Sequence, residues 1–422
     1  MKKPKESKKY SKKIYLDHAS STPIDAGVLN LLNKYQKEIF GNASSFHTAG
    51  IEAKNILDNS RASIAKNLFA RPEEIIFTSG GTEGNNLAIL GIINQLRITN
   101  YEFKNDKKNW QRLSLPHIVT TNIEHASVLE VCRTLEREKK ATITYVPVEE
   151  NGIVNPKKIK EALKPETVLV SVMYANNEIG TIQPIREIAK EIRHYRKNKL
   201  ENQNSKFPFF HTDACQATNY LDIQADRLGV DLMSINSSKI YGPKGIGFLY
   251  VKKGTPIAPQ ILGGGQEFNF RSGTESVPLV GAFAEALNKT RDMAEKEYKK
   301  LIVLRNFLIK ELKKKFPKSK INGDLDIRLP NNVSVSFPNF SSELLVIELD
   351  AKGYMVSSKS ACHADDPDES YVLRAIGATK SGEEQGSLRI TLGRDTKKEH
   401  LVGLVGALEE IFKKYKPLPD FI

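Results

Sequence analysis

The chain has 422 residues, 40% of them hydrophobic and 27% charged, with three cysteines and a net charge of +13. That length is more than one core usually serves and fits two packed domains; no apolar run approaches the roughly 20 residues of a membrane-spanning helix. The charge does not argue for a nucleic-acid partner: MKKPKESKKYSKK, residues 1 to 13, holds seven lysines and one glutamate, close to half of the excess, with no arginine-rich or aromatic-interleaved patch beside it.

In chain order, the lysine tail reads as a disordered solvated arm. It lacks the apolar stretch of a secretory signal, and its charge is all lysine and interrupted by Glu6, unlike a transit peptide. A cytoplasmic location is expected, and Cys132, Cys215 and Cys362 form no pairing framework, as suits a reducing compartment. The apolar runs EEIIFTS, HIVTTN, TVLVSVMYA, FPFFHTDA and VDLMSIN alternate with amphipathic stretches such as LEVCRTLERE and IREIAKEIRHYRK. This alternation predicts βαβ units, and so an α/β fold with a mostly parallel sheet covered by helices. Two polar segments, around NYEFKNDKKNWQRLS and RKNKLENQNSK, read as surface insertions. A long helix is expected from about 280 to 315, and after it NNVSVSFPN, LLVIELDAKG, SLRITLG and a last helix read as a smaller α+β domain.

Three of these stretches carry chemistry. In TSGGTEGNNLAILGI, two glycines lead from a strand into a helix at Thr82, so that N–H groups, a hydroxyl and the positive helix end converge near Gly81 and Thr82. A phosphate cradle and a plain glycine turn capped by Thr82 fit this stretch equally well. Asp213 ends the strand FPFFHTDA and Lys239 follows VDLMSIN, both at the carboxyl edge of a parallel sheet, where open α/β folds bind ligands. A poorly solvated lysine there can attack an aldehyde, although a surface lysine on a turn is the ordinary outcome. Together, a phosphate cradle, an amine nucleophile and a carboxylate able to hold a pyridine nitrogen protonated are what pyridoxal phosphate requires. No metal-ligand cluster is expected. A fourth stretch, SSKSACHADDPDESY, sets Cys362 beside His363 and the acidic DDPDE, a setting unlike the buried fate of most free cysteines; Cys132 and Cys215 are read as core fillers.

YLDHASSTP, FTSGGTEGNNLA, NIEHASVLE, YANNEIGTIQPI, HTDACQA, SSKIYGPKGIGFLYV, GGGQEFNFRSGTES, the Cys362 stretch and SLRITLGR together resemble, in order from about residue 14 to the end, the motifs of the cysteine desulfurases of the NifS/IscS type. These are pyridoxal-phosphate enzymes of the class-V aminotransferase family, with fold type I. The resemblance implies a large cofactor-binding domain over 14–277, built on a seven-stranded sheet, and a small domain over 278–422. It implies that Lys239 binds the cofactor aldehyde, Asp213 the ring nitrogen, Gln216 the phenolic oxygen, and Gly81 and Thr82 the phosphate. His125 stacks on the ring and shuttles protons, Asn177 positions cofactor and substrate carboxylate, and Arg389 clamps that carboxylate with its planar fork. Cys362 takes the sulfur of L-cysteine as a persulfide, leaving alanine. Thr274 reaches the cofactor of a second subunit, which implies a homodimer. Two departures touch the phosphate: the family's usual histidine before the lysine is Ser238, and its usual serine three before the lysine is Asn236. The usual GNPSS is GNASS at Ala43, which removes a rigid residue. The expected partners are L-cysteine, a second copy of the chain and a sulfur-acceptor protein, either an iron–sulfur scaffold or a tRNA-thiolation relay. A selenocysteine lyase or another aminotransferase-like enzyme is the alternative, and a non-catalytic scaffold a further one.

Overall fold

A computed structural model describes residues 13–98, 115–203, 206–358, 370–378 and 385–415. The lysine tail before Lys13, the segment at 99–114 and the Cys362 stretch from 359 to 369 lie outside the described residues. The chain enters through a two-residue strand, β1 (Ile14–Tyr15), and two helices, α1 (Ala26–Glu38) and α2 (Thr48–Leu68). Strands and helices then alternate as β2 (Ile75–Thr78), α3 (Gly81–Ile98), β3 (His117–Thr121), α4 (Ala126–Arg137), β4 (Thr142–Val146), α5 (Pro156–Ala162), β5 (Thr167–Ser171), α6 (Ile185–Gln203), β6 (Phe209–Asp213), α7 (Ala225–Leu228), β7 (Leu232–Asn236) and β8 (Gly247–Val251). Helix α8 (Val277–Lys315) leads to β9 (Lys320–Ile321), β10 (Asn332–Pro338), α9 (Ser342–Ala351), β11 (Tyr354–Met355), α10 (Tyr371–Ala375), β12 (Gln385–Thr391) and α11 (Lys398–Lys414).

The strands β2 to β8 form one seven-stranded sheet in the order β2-β8-β7-β6-β5-β3-β4. It is parallel except for β8, which runs antiparallel to both neighbours; residues 237–246 are too few for the crossover that a parallel neighbour needs. The strands read as unbroken apolar runs because both faces are covered. Successive side chains alternate between two cores: Ile76, Ile118, Leu169, Leu232 and Leu249 pack with Leu87 and Ile92 of α3 and Val128 of α4, whereas Phe77, Val119, Val170, Phe210 and Phe248 pack with Ile188 of α6 and Phe283 of α8. The polar run RKNKLENQNSK, expected as an insertion, is helical in its first part, since α6 continues to Gln203; its Arg, Lys, Leu and Glu are all good helix formers.

The 39-residue α8 spans about 58 Å and packs against α1 and α2 at one end and against α11 and β10 at the other. Beyond it, β12, β10 and β9 form a second, antiparallel sheet, with Ser334 opposite Arg389. The parallel pairing of β1 with β11 brings the N-terminal segment against this part of the molecule. From there the segment runs past β12, where Thr391 N donates to Leu16 O at 2.7 Å, to the turn after β7, where Thr22 N donates to Ser238 O at 2.9 Å. The two sheets and the N-terminal segment meet at the carboxyl ends of the central strands. No helix among the described residues is long and apolar enough to cross a membrane.

Candidate active site

At that meeting point lies a cavity of about 230 Å³, lined among others by Ala19, Ser20, Gly81, Thr82, His125, Asn177, Asp213, Gln216, Asn236, Lys239 and Arg389. Strand ends, helix starts and one edge of the small sheet bring the groups together from positions almost 400 residues apart. Asp213 is the last residue of β6; its Oδ1 accepts from Cys215 N at 3.0 Å and its Oδ2 from Asn85 Nδ2 at 2.7 Å. Lys239 closes a 3₁₀ turn directly after β7, and its Nζ donates to Ala19 O at 3.0 Å and Ser20 O at 2.5 Å. Gln216 Nε2 donates to the same Ala19 carbonyl at 2.9 Å. His125 is the N-cap of α4. Arg389, 2% exposed, comes from β12; its Nη2 donates to Asp17 Oδ1 at 2.8 Å and to Ser20 Oγ at 2.5 Å, and its Nη1 to Asn177 O at 3.3 Å.

The cavity suits pyridoxal phosphate. Two buried polar atoms of its lining, Asn177 Oδ1 and Arg389 Nε, have no partner among the described residues, and buried groups of this kind are normally paired. Gly81 opens α3 with no side chain, so the first N–H groups of that helix stay accessible beside Thr82. The carboxylate at Asp213 meets the need of a pyridine nitrogen, and the amine at Lys239 that of an aldehyde. A Cβ on Gly81 would lie 2.7 Å from Cys215 Sγ, too close for a real contact. Gly81→Ala should therefore destabilise the protein by about 1–3 kcal/mol, and Cys215→Ala in the same chain should restore most of that. Denaturant unfolding of the four members of the cycle measures the coupling; an equal cost with and without Cys215 would mean the contact is not its cause.

Asn177 is held by its backbone. The four successive carbonyls of residues 177 to 180 each accept a hydrogen bond from the C-terminal part of the chain: Asn177 O from Arg389 Nη1, Glu178 O from Asn332 Nδ2 at 3.2 Å, Ile179 O from Arg328 Nη2 at 2.8 Å and Gly180 O from Leu329 N at 2.8 Å. Gly180 has φ +75°, and a Cβ there would lie 2.7 Å from Asn332 Cβ, so this turn is shaped to fit the grip. Arg328 is fully buried, and burial together with the neighbouring Arg305 lowers its pKa to about 9. Arg328→Met should cost several kcal/mol if the freed carbonyl stays unpaired, and should raise the KM for an amino-acid substrate by loosening Asn177.

Some expected residues fall outside the cavity lining. Ser238 donates through Oγ to Asn236 Oδ1 at 3.2 Å, next to the cavity but not in its wall. Thr274 is exposed and lines a different depression, with Thr78, Gly245 and Arg271. Cys362 belongs to the stretch outside the described residues. Cys132 and Cys215 are buried and free, as expected, and burial pushes the Cys132 thiol up to about 12. Sequence reasoning missed Asp17, Ser20, Asn85 and Ser127. Asn85 stands four residues, one helical turn, after Gly81, and that spacing was the available signal.

Glu124, the residue before His125, is fully buried; burial and nearby Asp213 raise its pKa from 4.5 to about 8, against the opposing bonds from Thr121 Oγ1 and Met173 N. Between pH 4.5 and 8 the native carboxyl therefore holds a proton that the unfolded one has released. The native state binds more protons there, so stability falls as pH rises through this window and levels off above it. Glu124→Gln should flatten that slope, measured as thermal midpoints from pH 5 to 8; an unchanged slope would place its origin elsewhere.

Residues 14–404 match the family model described as aminotransferase class-V. The chain is 40% identical over 410 residues to the cysteine desulfurase IscS of Dictyoglomus turgidum, covering 97% of each chain. It is 38% identical to the cysteine desulfurase IscS of Methanosarcina thermophila, covering 96% of this chain and 93% of that one. Among solved structures it resembles a NifS-like protein with TM-score 0.83 and 32% identity over 96% of this chain and all of that one. It also resembles SspA, solved in complex with cysteine, with TM-score 0.71 and 30% identity over 90% and 98% of the two chains.

Proposed function

The chain belongs to the class-V aminotransferase family and is a pyridoxal-phosphate-dependent cysteine desulfurase, and from that premise we propose which of its residues divide the work and where the sulfur goes. The reading is carried by one observation: Lys239, Asp213, His125, Asn177 and Arg389 face a single cavity. Pyridoxal phosphate, when bound, supplies an aldehyde for the amino group of L-cysteine and a ring that draws electrons from its Cα. Lys239 holds that aldehyde at rest and, once displaced by substrate, is free to carry protons. Asp213 keeps the ring nitrogen protonated, fixed in orientation by Asn85 and Cys215 N. The start of α3 at Gly81 and Thr82 would take the phosphate, with the amide of Asn236 beside it in the cavity wall and Ser238 acting through its bond to Asn236 Oδ1. Gln216 has a second amide proton for the phenolic oxygen. Arg389 Nε, with no partner among the described residues, would bind the substrate carboxylate beside Asn177, and His125 would stack on the ring.

Cys362 attacks the sulfur of bound cysteine: the new S–S bond forms as the substrate's C–S bond breaks, and the carbon skeleton leaves as alanine. The persulfide then passes to an acceptor protein for iron–sulfur cluster assembly or tRNA thiolation in the cytoplasm. The working unit is a homodimer, 14–277 being the cofactor domain and 278–422 the small domain; exposed Thr274, outside its own cavity, is available to the second subunit. The test is alanine release from L-cysteine by the cofactor-loaded protein, with mass spectrometry of the Cys362 peptide. One added sulfur on that peptide is expected; alanine release with the sulfur on another residue would reject the carrier assignment.

A further inference from the structure

Two buried side chains, Asn85 and Ser127, connect Asp213 to His125. Asn85, fully buried one turn into α3, donates through Nδ2 to Asp213 Oδ2 at 2.7 Å and to Ser127 Oγ at 2.8 Å. An ionised carboxylate only accepts, so the nitrogen of the Asn85 amide must face Asp213, and the same nitrogen supplies the proton to Ser127 Oγ. Ser127, having accepted there, has its own hydroxyl proton to give. The ring nitrogen Nδ1 of His125 lies 2.8 Å from Ser127 Oγ and 3.2 Å from Ser127 N. A backbone N–H can only donate, so Nδ1 is an acceptor twice over.

We propose that Ser127 and Asn85 are positioning residues that fix His125 in the tautomer with its proton on Nε2, so that His125 meets the cavity as a proton donor before it can act as a base. The orientation runs in one direction along the chain Asp213, Asn85, Ser127, His125. Placing a proton on Nδ1 would reverse the bond with the Ser127 hydroxyl, leaving that hydroxyl to accept from both sides, and would set two N–H groups against each other at 3.2 Å. The carboxylate assigned to the ring nitrogen thus also determines, through two neutral side chains, which edge of the imidazole holds the proton. Neither Asn85 nor Ser127 acts on substrate in this scheme; both act through His125. The inference rests on the proposed role of His125 beside the cofactor, and its first readout does not depend on turnover.

The experiment uses the full chain loaded with pyridoxal phosphate. Two-bond ¹H–¹⁵N spectra of histidine side chains, with His125 assigned by its disappearance in His125→Gln, report the tautomer directly. The parent is expected to show the Nε2–H pattern. Ser127→Ala keeps the backbone N–H but loses the shorter hydroxyl bond, so it should shift the signal part of the way to a tautomer mixture and lower kcat for alanine formation by about 10-fold, less than the 10²-fold or more that a lost general acid costs, with KM little changed. Ser127→Thr, which keeps the hydroxyl, should restore both. A parent spectrum of the Nδ1–H type would overturn the proposal, as would a Ser127→Ala protein that keeps the Nε2–H pattern or the parent kcat. If the parent made no alanine at all, the assigned function would fail while the tautomer remained measurable.

Discussion

Lys239→Ala is expected to fold, to lose the long-wavelength absorbance of covalently held cofactor, and to release alanine from L-cysteine more than about 10³-fold more slowly than the parent. The amine has two roles in the proposed scheme, anchoring the aldehyde and then carrying protons, so its removal affects both binding and turnover. Its placement is specific: Nζ lies within hydrogen-bond reach of two consecutive carbonyls, Ala19 O and Ser20 O. Those carbonyls belong to a segment tied to β12 on one side and to the turn at Ser238 on the other. The alanine variant takes this donor from both, but Ala19 O keeps Gln216 Nε2, so the cost is about 1–3 kcal/mol at Ser20 O if no water reaches it, and a thermal midpoint must accompany the assay. Phosphate and ring contacts remain, so cofactor should still enter but exchange on gel filtration. A folded Lys239→Ala protein that kept the absorbance and the parental turnover would remove Lys239 from the centre of the scheme.

Much of this arrangement was legible in the sequence because chemistry at strand ends leaves local marks. Asp213 closing an apolar strand, Lys239 following another, and the two glycines before Thr82 each announce themselves within ten residues. The fold class followed from alternating apolar and amphipathic runs, which depend on a period and not on partners. What stayed hidden was long-range. The reversal of β8 depends on the length of one turn. Asp17 and Ser20 enter the site because the N-terminal segment pairs with β11 and β12, hundreds of residues away, and a two-residue strand has no periodicity to read. The grip on residues 177 to 180 uses backbone carbonyls, which no side-chain pattern reveals, and nothing in the sequence marks Arg328, one of its donors, as the fully buried residue it is. Asn85 and Ser127 were invisible for a related reason: a buried neutral side chain shows its purpose only by the partner it meets.

Cys362→Ser should retain cofactor and still bind L-cysteine, yet form almost no alanine and carry no added sulfur, whereas the parent does both. The anchoring of the flanking residues supports this position for the carrier. Before it, Ser357 exchanges backbone hydrogen bonds with Arg389, and Ser358 O accepts from Ser387 Oγ at 3.3 Å. After it, Ser370 Oγ donates to Glu178 Oε2 at 2.5 Å and Tyr371 OH to Glu124 O at 2.6 Å. One stem is thus attached to the strand of Arg389, and the other to the immediate neighbours of Asn177 and His125. Serine matches cysteine in size but its hydroxyl does not attack sulfur at neutral pH, so the substitution removes the nucleophile and little else. The decisive comparison is a single turnover of the variant in the presence of a small thiol. Alanine formed at the parental rate would mean that another acceptor takes the sulfur directly; a spectral change on adding L-cysteine with no alanine following would mean that the reaction halts at the step assigned to Cys362.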